Sequence, residues 1–479
     1  MSSKRWWWGS MDRMVVPSGL GGVDLIIGGG FKKGSLVIVA GNPGTGKTVF
    51  SAGWLYHGAV DFNEPGIYVS FAENREAFYD NMKGFGYDFE SLEAEGKFQF
   101  LDLLTVKQEG VSAVFNWIVD KAYSLKAKRL VIDSFSALAQ AFERPIDMRS
   151  FTHTILSKIL RKTGCTTLLI LEVPFGETKI GYGIEEFLAD AVLLLKRREV
   201  DGIPLRELSI LKNRWSEITY PNYVFTLKDG FQVFLPLMMR DIKQPLGKYK
   251  VIPHKENAYS TGIEDLDLML GGSFRRGGYN LLEIEKDVAF SLERLIRPTS
   301  CNFLNQGYGV MILPPQGISA LTVKKAVIPF VDQKYRGNIA IADFKEEDKD
   351  IVVLDGKSLE DDMEKIWDAI SGLRAKTGKP VFSIIGFDTI EYNYGEREAL
   401  KILGEDIAQI RNNEDLRLNI IRPTVHVSNQ LEALSDIHLK VEMVHGALFV
   451  RGIKPKTPFL GVDLKISKEC SEVKLTPVI

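Results

Sequence analysis

Cysteine is nearly absent: Cys165, Cys301 and Cys470 are the three in 479 residues, and they lie far apart. That excludes a disulfide framework and a cysteine-ligated zinc site, and it suits a reducing compartment. No apolar run reaches the roughly 18–20 residues that a bilayer-crossing helix needs. No charge of one sign dominates either, since 60 Lys and Arg face 62 Asp and Glu. Without a bulk basic field, nucleic acid is not the favoured partner. Residues 1–15 read as an N-terminal extension. Its Trp6-Trp7-Trp8 triplet is too short an apolar stretch for a signal peptide, and docking on a neighbour or a membrane surface is the alternative reading. These absences predict a soluble, cytoplasmic chain that spans no membrane.

What is present is an ordinary globular composition, with 45% hydrophobic and 25% charged residues, on a chain long enough for two domains of roughly 200–250 residues. The two domains are visible as a repeat. Residues 18–35 read SGLGGVDLIIGGGFKKGS and residues 261–278 read TGIEDLDLMLGGSFRRGG. Gly34 recurs as Gly277, an offset of 243 residues that persists without a gap to Gly66 and Gly309. The halves are therefore tandem copies. The expected boundaries are 16–236 and 259–479, with 237–258 as a linker of little helical periodicity.

The first copy alternates short apolar runs with helical patterns. Strands are expected at 36–41, 67–72, 98–104, 129–134 and 166–173, and helices from about Gly46, over 74–84, 110–125 and 148–163. DAVLLLKRR and LRELSILKNR follow as antiparallel strands at the sheet edge. The pattern predicts an α/β fold, a mainly parallel twisted sheet with helices on both faces.

The decisive motif is Gly41-Asn42-Pro43-Gly44-Thr45-Gly46-Lys47-Thr48. It satisfies G-x-x-x-x-G-K-[ST] between a strand and a helix, the context of a phosphate-binding loop. Glycines let backbone N–H groups wrap phosphate, and the helix start at Lys47, Thr48 and Val49 adds its partial positive charge. Lys47 suits the β- and γ-phosphates of ATP, and the Thr48 hydroxyl one position of Mg2+. Asp133, at the end of LVID, is the expected second Mg2+ holder; strands ending in Asp are common, and the weight comes from its place in the sheet. Glu73, past IYVSFA, is the candidate for the attacking water, with Glu172 as a γ-phosphate sensor; either is equally a solvated loop carboxylate. Lys212 and Arg214, two apart, face the same way on an exposed strand and read either as a finger for a neighbouring protomer's γ-phosphate or as a surface basic pair.

These phrases, with GFGYDFE, LVIDSFSAL and YGIEEFLADAVLLLKRR, match in order and spacing across residues 16–236 and resemble the KaiC-like branch of the RecA superfamily. The resemblance implies two tandem RecA-like domains, ATP and Mg2+ binding, a ring that is usually a hexamer, and Lys212 and Arg214 acting in trans. Two departures bear on it. Family members usually carry adjacent glutamates after the second strand, where this chain has Ala72-Glu73. The offset of 243 also puts Ile284-Glu285-Lys286-Asp287-Val288-Ala289-Phe290-Ser291 where the loop should be, Pro315 and Gln316 at Ala72 and Glu73, and the Asp133 counterpart near Gly386–Asp388. Arg451 and Lys454 remain near the end of the second copy without the K-x-R spacing. The expectation is a slow ATPase or nucleotide-dependent switch, whose second half binds no nucleotide and presents a surface to a protein partner. A RadA-like DNA-dependent ATPase and a kinase of itself or a partner are the alternatives. The first needs basic loops that 139–150 and 174–186 do not supply.

Overall fold

The computed structural model describes residues 15–103, 111–136, 164–177, 189–239, 248–288, 292–345, 351–466 and 470–479. The chain divides into two compact units: residues up to Pro236 with Val478–Ile479, and Leu237–Pro477. The expected helix over 148–163 lies outside the described residues.

In the first unit the strands of the main sheet are β1 (Leu36–Gly41), β2 (Gly66–Ser70), β3 (Phe98–Asp102), β4 (Arg129–Asp133), β5 (Thr166–Glu172), β6 (Ala191–Val200), β7 (Ile203–Asn213), β8 (Asn222–Thr226) and β9 (Gln232–Phe234). Their order across the sheet is β9-β8-β7-β6-β1-β5-β4-β2-β3. The six from β6 to β3 run parallel, and β6 to β9 pair antiparallel. The hairpin of β6 and β7 is antiparallel as expected but is not the edge, because β8 and β9 extend the sheet beyond it.

All six residues of β1 are buried, as a strand covered on both faces requires. Leu36, Ile38 and Ala40 pack with Ile118, Val119 and Ala122 of α4 (Val111–Leu125). On the other face α1 (Lys47–Asp61) lies against β2 and β4 and buries Phe50, Trp54 and Leu55. Two short helices, α2 (Arg75–Lys83) and α3 (Phe89–Ala94), follow β2. Each begins at a side-chain cap: Asn74 accepts from the Ala77 N–H and Asp88 from the Ser91 N–H.

The second unit repeats this plan. The strands of its main sheet are β10 (Lys248–Tyr249), β11 (Tyr279–Ile284), β12 (Gly309–Leu313), β13 (Ile339–Asp343), β14 (Ile351–Val353), β15 (Val381–Gly386), β16 (Leu416–Ile421), β17 (Ile437–Val444), β18 (Ala447–Lys454), β19 (Leu460–Ile466) and β20 (Cys470–Pro477). The order is β10-β20-β19-β18-β17-β11-β16-β15-β12-β13-β14. Position for position, β17-β11-β16-β15-β12-β13 matches β6-β1-β5-β4-β2-β3. Apolar clusters cover both faces of this sheet, and the structure is two tandem RecA-like α/β domains. Part of the stretch expected as a linker is ordered against the second unit, with β10 pairing in parallel with β20. Among the described residues, no helix is long and apolar enough to cross a membrane.

Candidate functional site

The loop between β1 and α1 is already shaped for an anion. A Cβ at Gly41 would sit 2.4 Å from the Leu195 carbonyl oxygen and 2.7 Å from Thr45 Oγ1, so only glycine fits where β1 meets β6. Gly46 takes φ 102° and no side chain caps α1. The N–H groups of Lys47, Thr48 and Val49 therefore open the helix without intrahelical acceptors, the arrangement that seats phosphate. Val49 is itself buried, which confines its share to that backbone N–H. Asn42 ties the loop to the end of β5, donating from Nδ2 to the Val173 carbonyl at 2.9 Å and the Pro174 carbonyl at 3.2 Å. Thr45 Oγ1 donates to the Asn42 carbonyl at 2.8 Å. Pro43 and Gly44 stand exposed at the crown.

Lys47 is folded back onto the loop. Its Nζ donates to the Gly41 and Asn42 carbonyls, each at 2.9 Å. Burial pulls its ammonium below the usual lysine range, and the negative charges of Glu172 and Asp133 oppose that pull. Both carboxylates thus act on the ammonium that the loop positions.

Asp133 ends β4 in register with Ser70 at the end of β2. Its Oδ2 accepts from Thr48 Oγ1 at 3.2 Å and from the Tyr68 hydroxyl at 2.5 Å. Burial raises its carboxyl above the usual range, and the hydrogen bonds from Tyr68 and Thr48 oppose the rise. Thr48 and Asp133 are the hard oxygen pair that a Mg2+ ion needs when phosphate and water fill its other positions. Among the described residues no group of three or more His, Cys, Asp or Glu could hold a metal by itself. The pair therefore fits Mg2+ delivered with a nucleotide and not a free-standing metal centre.

Glu73 follows β2 in a turn pinned by Ser70, whose Oγ accepts from the Ala72 and Glu73 N–H groups and donates to the Glu73 carbonyl. Asn81 Nδ2 donates to Glu73 Oε2 at 3.4 Å. Burial, and after it the charge of Asp133, raises the Glu73 carboxyl. Glu172 is exposed at the end of β5.

Lys212 lies in β7, which ends at Asn213, and the register shift opposite Val192 and Leu193 falls before Lys212. Arg214 lies beyond the strand: its N–H donates to the Asp190 carbonyl, and Nη1 stands 3.4 Å from Asp190 Oδ1. Several neighbours of the loop carried no sequence signal. Tyr68 is one. Arg206, which donates from Nη1 to the Gly44 carbonyl at 3.1 Å, is another. Phe175, Arg197 and Arg198 join Asn42, Pro43 and Thr45 in a cleft of about 430 Å3 beside the loop. Only strand order brings them there.

In the second unit the equivalent ground is filled differently. Ile284 takes the place of Gly41, as β11 takes the place of β1. Just past it, Lys440 Nζ lies 2.5 Å from Glu285 Oε1 and 3.2 Å from Glu283 Oε1. The register that sets Asp133 opposite Ser70 sets Ile385 opposite Leu313, so the counterpart of Asp133 is Ile385. Asp388 lies further on, in the helix Phe387–Tyr394, with Arg422 Nε 3.8 Å from its Oδ2. Lys454 pairs with His438 as Lys212 pairs with Val192, each beside a register shift. Lys456 then takes the place of Arg214. Phe290 and Ser291, like 139–150 and most of 174–186, lie outside the described residues.

Comparison with known proteins bears on the same half. The family model described as "ATPase: KaiC" matches residues 16–236. The circadian clock oscillator protein KaiC of Thermostichus vulcanus is 31% identical over 269 residues, which are 54% of this chain and 50% of that protein. The UPF0273 protein MJ1359 of Methanocaldococcus jannaschii is 30% identical over 234 residues, 46% of this chain and 96% of that protein. A solved KaiC-like protein, PH0186 of Pyrococcus horikoshii OT3, is 36% identical over 46% of this chain and 99% of that chain, with a TM-score of 0.43. The chain spans about half the length of the curated KaiC relatives that it matches.

Proposed function

This chain belongs to the KaiC-like branch of the RecA superfamily of P-loop ATPases, and on that premise we propose that its first unit binds Mg-ATP and turns it over slowly, as a nucleotide-dependent switch in a ring of protomers. The observation that carries the reading is the preformed loop with Lys47 folded onto its own carbonyls, 2.9 Å from each. That is a cation held in place by contacts that a phosphate replaces with stronger, charge-assisted ones.

Backbone N–H groups of the loop and the first turn of α1 bind the phosphates. Lys47 exchanges its two carbonyl acceptors for phosphate oxygens. Thr48 and Asp133 would hold Mg2+, which when bound would neutralise phosphate charge. Glu73 orients the attacking water. Its partner position is Ala72, and a missing water-activating carboxylate costs on the order of 10²–10⁴ in rate, so the turnover is slow. Arg214 leaves Asp190 and, with Lys212, reaches the γ-phosphate of the neighbouring protomer. The ring, a hexamer in this reading, is sensitive to nucleotide because that phosphate bridges two chains. The second unit binds no nucleotide and serves as a platform for a protein partner, since two carboxylates, Glu283 and Glu285, stand against the single Lys440 ammonium where phosphate would approach.

The test is ATP binding and single-turnover hydrolysis by wild type and Lys47→Ala, with mass from light scattering in each nucleotide state. Binding lost in Lys47→Ala, and a nucleotide-dependent ring in wild type, uphold the proposal. Binding that survives the substitution overturns it.

A further inference from the structure

We propose that Tyr68 is a positioning residue for the metal side of this site: its hydroxyl anchors one oxygen of Asp133 so that the other is presented to Mg2+. The assignment rests on the nucleotide-site reading above.

Tyr68 lies in the middle of β2, in register with Val131 of the neighbouring β4, two residues before Asp133. Its side chain is fully buried. The ring packs against Phe78, at 4.4 Å between centroids, and against Phe100, at 5.7 Å with the two rings nearly parallel. A phenol fully buried against two other rings has little rotamer freedom, so its hydroxyl is a well-fixed donor. It reaches Asp133 Oδ2 at 2.5 Å, the same oxygen that Thr48 reaches at 3.2 Å. Both donors converge on Oδ2 and leave Oδ1 clear of them. A carboxylate held at one oxygen by two donors from different elements cannot turn about its Cβ–Cγ bond. Loss of a group that fixes a ligand in this way typically costs roughly tenfold to a hundredfold in metal affinity.

The tandem copy supplies an internal control. At the offset of 243 residues Tyr68 becomes Met311, and the register of β12 and β15 makes Asp133 into Ile385. The second sheet pairs strand for strand like the first with a methionine and an isoleucine in those places. The sheet does not need the tyrosine or the aspartate. The two occur together in the half that keeps the phosphate loop and are both replaced by apolar residues in the half that lacks it.

Tyr68→Phe keeps the ring and removes the donor. A fluorescent ATP analogue titrated into the full-length protein, once in EDTA and once across a Mg2+ series, separates the two contributions. Metal-free affinity stays within about twofold of wild type, while the Mg2+ concentration for half effect rises by about tenfold to a hundredfold. Tyr68→Met, which installs the residue of the second copy, also removes the donor and gives the same shift. In an Asp133→Asn background, adding Tyr68→Phe changes the Mg2+ response no further. An unchanged Mg2+ response in Tyr68→Phe overturns the assignment, as does an equal fall with and without metal. A wild type whose ATP affinity gains nothing from Mg2+ sinks the nucleotide-site reading itself, an outcome distinct from either.

Discussion

Arg129 and Glu64 form an ion pair at 2.7 Å in which the arginine side chain is 0% exposed and the glutamate 26%. Arg129 opens β4, the strand that ends in Asp133. Its Nη1 also donates to the Trp54 carbonyl at 2.6 Å and Nη2 to the Pro17 carbonyl at 2.8 Å, and its guanidinium lies 5.0 Å from the Trp54 ring. One cation thus joins β4, α1 and the entry segment. Arg129→Met removes it, leaves the Glu64 carboxylate without this cation and takes one donor from each of the two carbonyls. A loss of about 3–5 kcal/mol in the first unit is expected. Urea unfolding read separately for the two units is the check, because a chain of two compact units need not unfold in one step. An unchanged first transition overturns the role.

Gly41→Ala isolates the loop from the fold. The added Cβ meets the Leu195 carbonyl oxygen at 2.4 Å, and a backbone atom of a central strand cannot yield cheaply. The loop must shift instead. ATP affinity is expected to fall on the order of tenfold or more, about 1.4 kcal/mol per tenfold, with the far-ultraviolet spectrum of the fold retained. Equilibrium binding of labelled ATP decides it, and wild-type affinity counts against the preformed loop.

The parts of the site that the sequence shows are those made by neighbours in the chain. Gly41 to Thr48 is one contiguous strand–loop–helix, so its geometry follows from its own residues. The fold was readable because two copies keep register from Gly34 to Gly66. Tyr68 and Asp133 were not readable as a pair, because they meet only once β2 is known to lie beside β4. The buried Arg129 gave no signal for the same reason, since its partners come from 112, 75 and 65 residues away. The hairpin read as the sheet edge fails on β8 and β9, two short strands whose pairing depends on what lies beyond β7. Arg214 was placed by strand alternation, and the strand ends one residue before it.

One nucleotide per chain is the expected stoichiometry. The second unit has Ile284 in place of Gly41, Ile385 in place of Asp133, and a polar group in which Lys440 pairs with Glu283 and Glu285 and Glu283 also meets His438. Calorimetric titration of ATP in Mg2+ should saturate at one per chain, and at none in Lys47→Ala. Two sites per chain would contradict the silent second unit. A single site that persists in Lys47→Ala would move the binding to the wrong half.

The second unit carries a pH dependence of defined sign at His254. Burial, and after it the charges of Arg276 and Lys379, lowers this imidazole to about 4. Phe303, Tyr308 and Tyr259 surround it with ring centroids at 4.4, 4.8 and 5.3 Å, and Nδ1 accepts from the Ser260 N–H at 3.0 Å. Neutral imidazole is therefore the folded form. As pH falls below the ordinary histidine value of about 6.5, the unfolded chain takes a proton that the folded chain refuses until about 4. The second unit loses stability across that window and gains nothing from this group above it. His426 pulls the other way, because its hydrogen bond to Glu391 raises its imidazole and its pairing strengthens as pH falls. The His254 effect is accordingly read as a difference. His254→Asn should melt lower than wild type at pH 7.5, and the gap should narrow steadily towards pH 4.5. A gap that stays constant across that range would show that His254 titrates alike in both states.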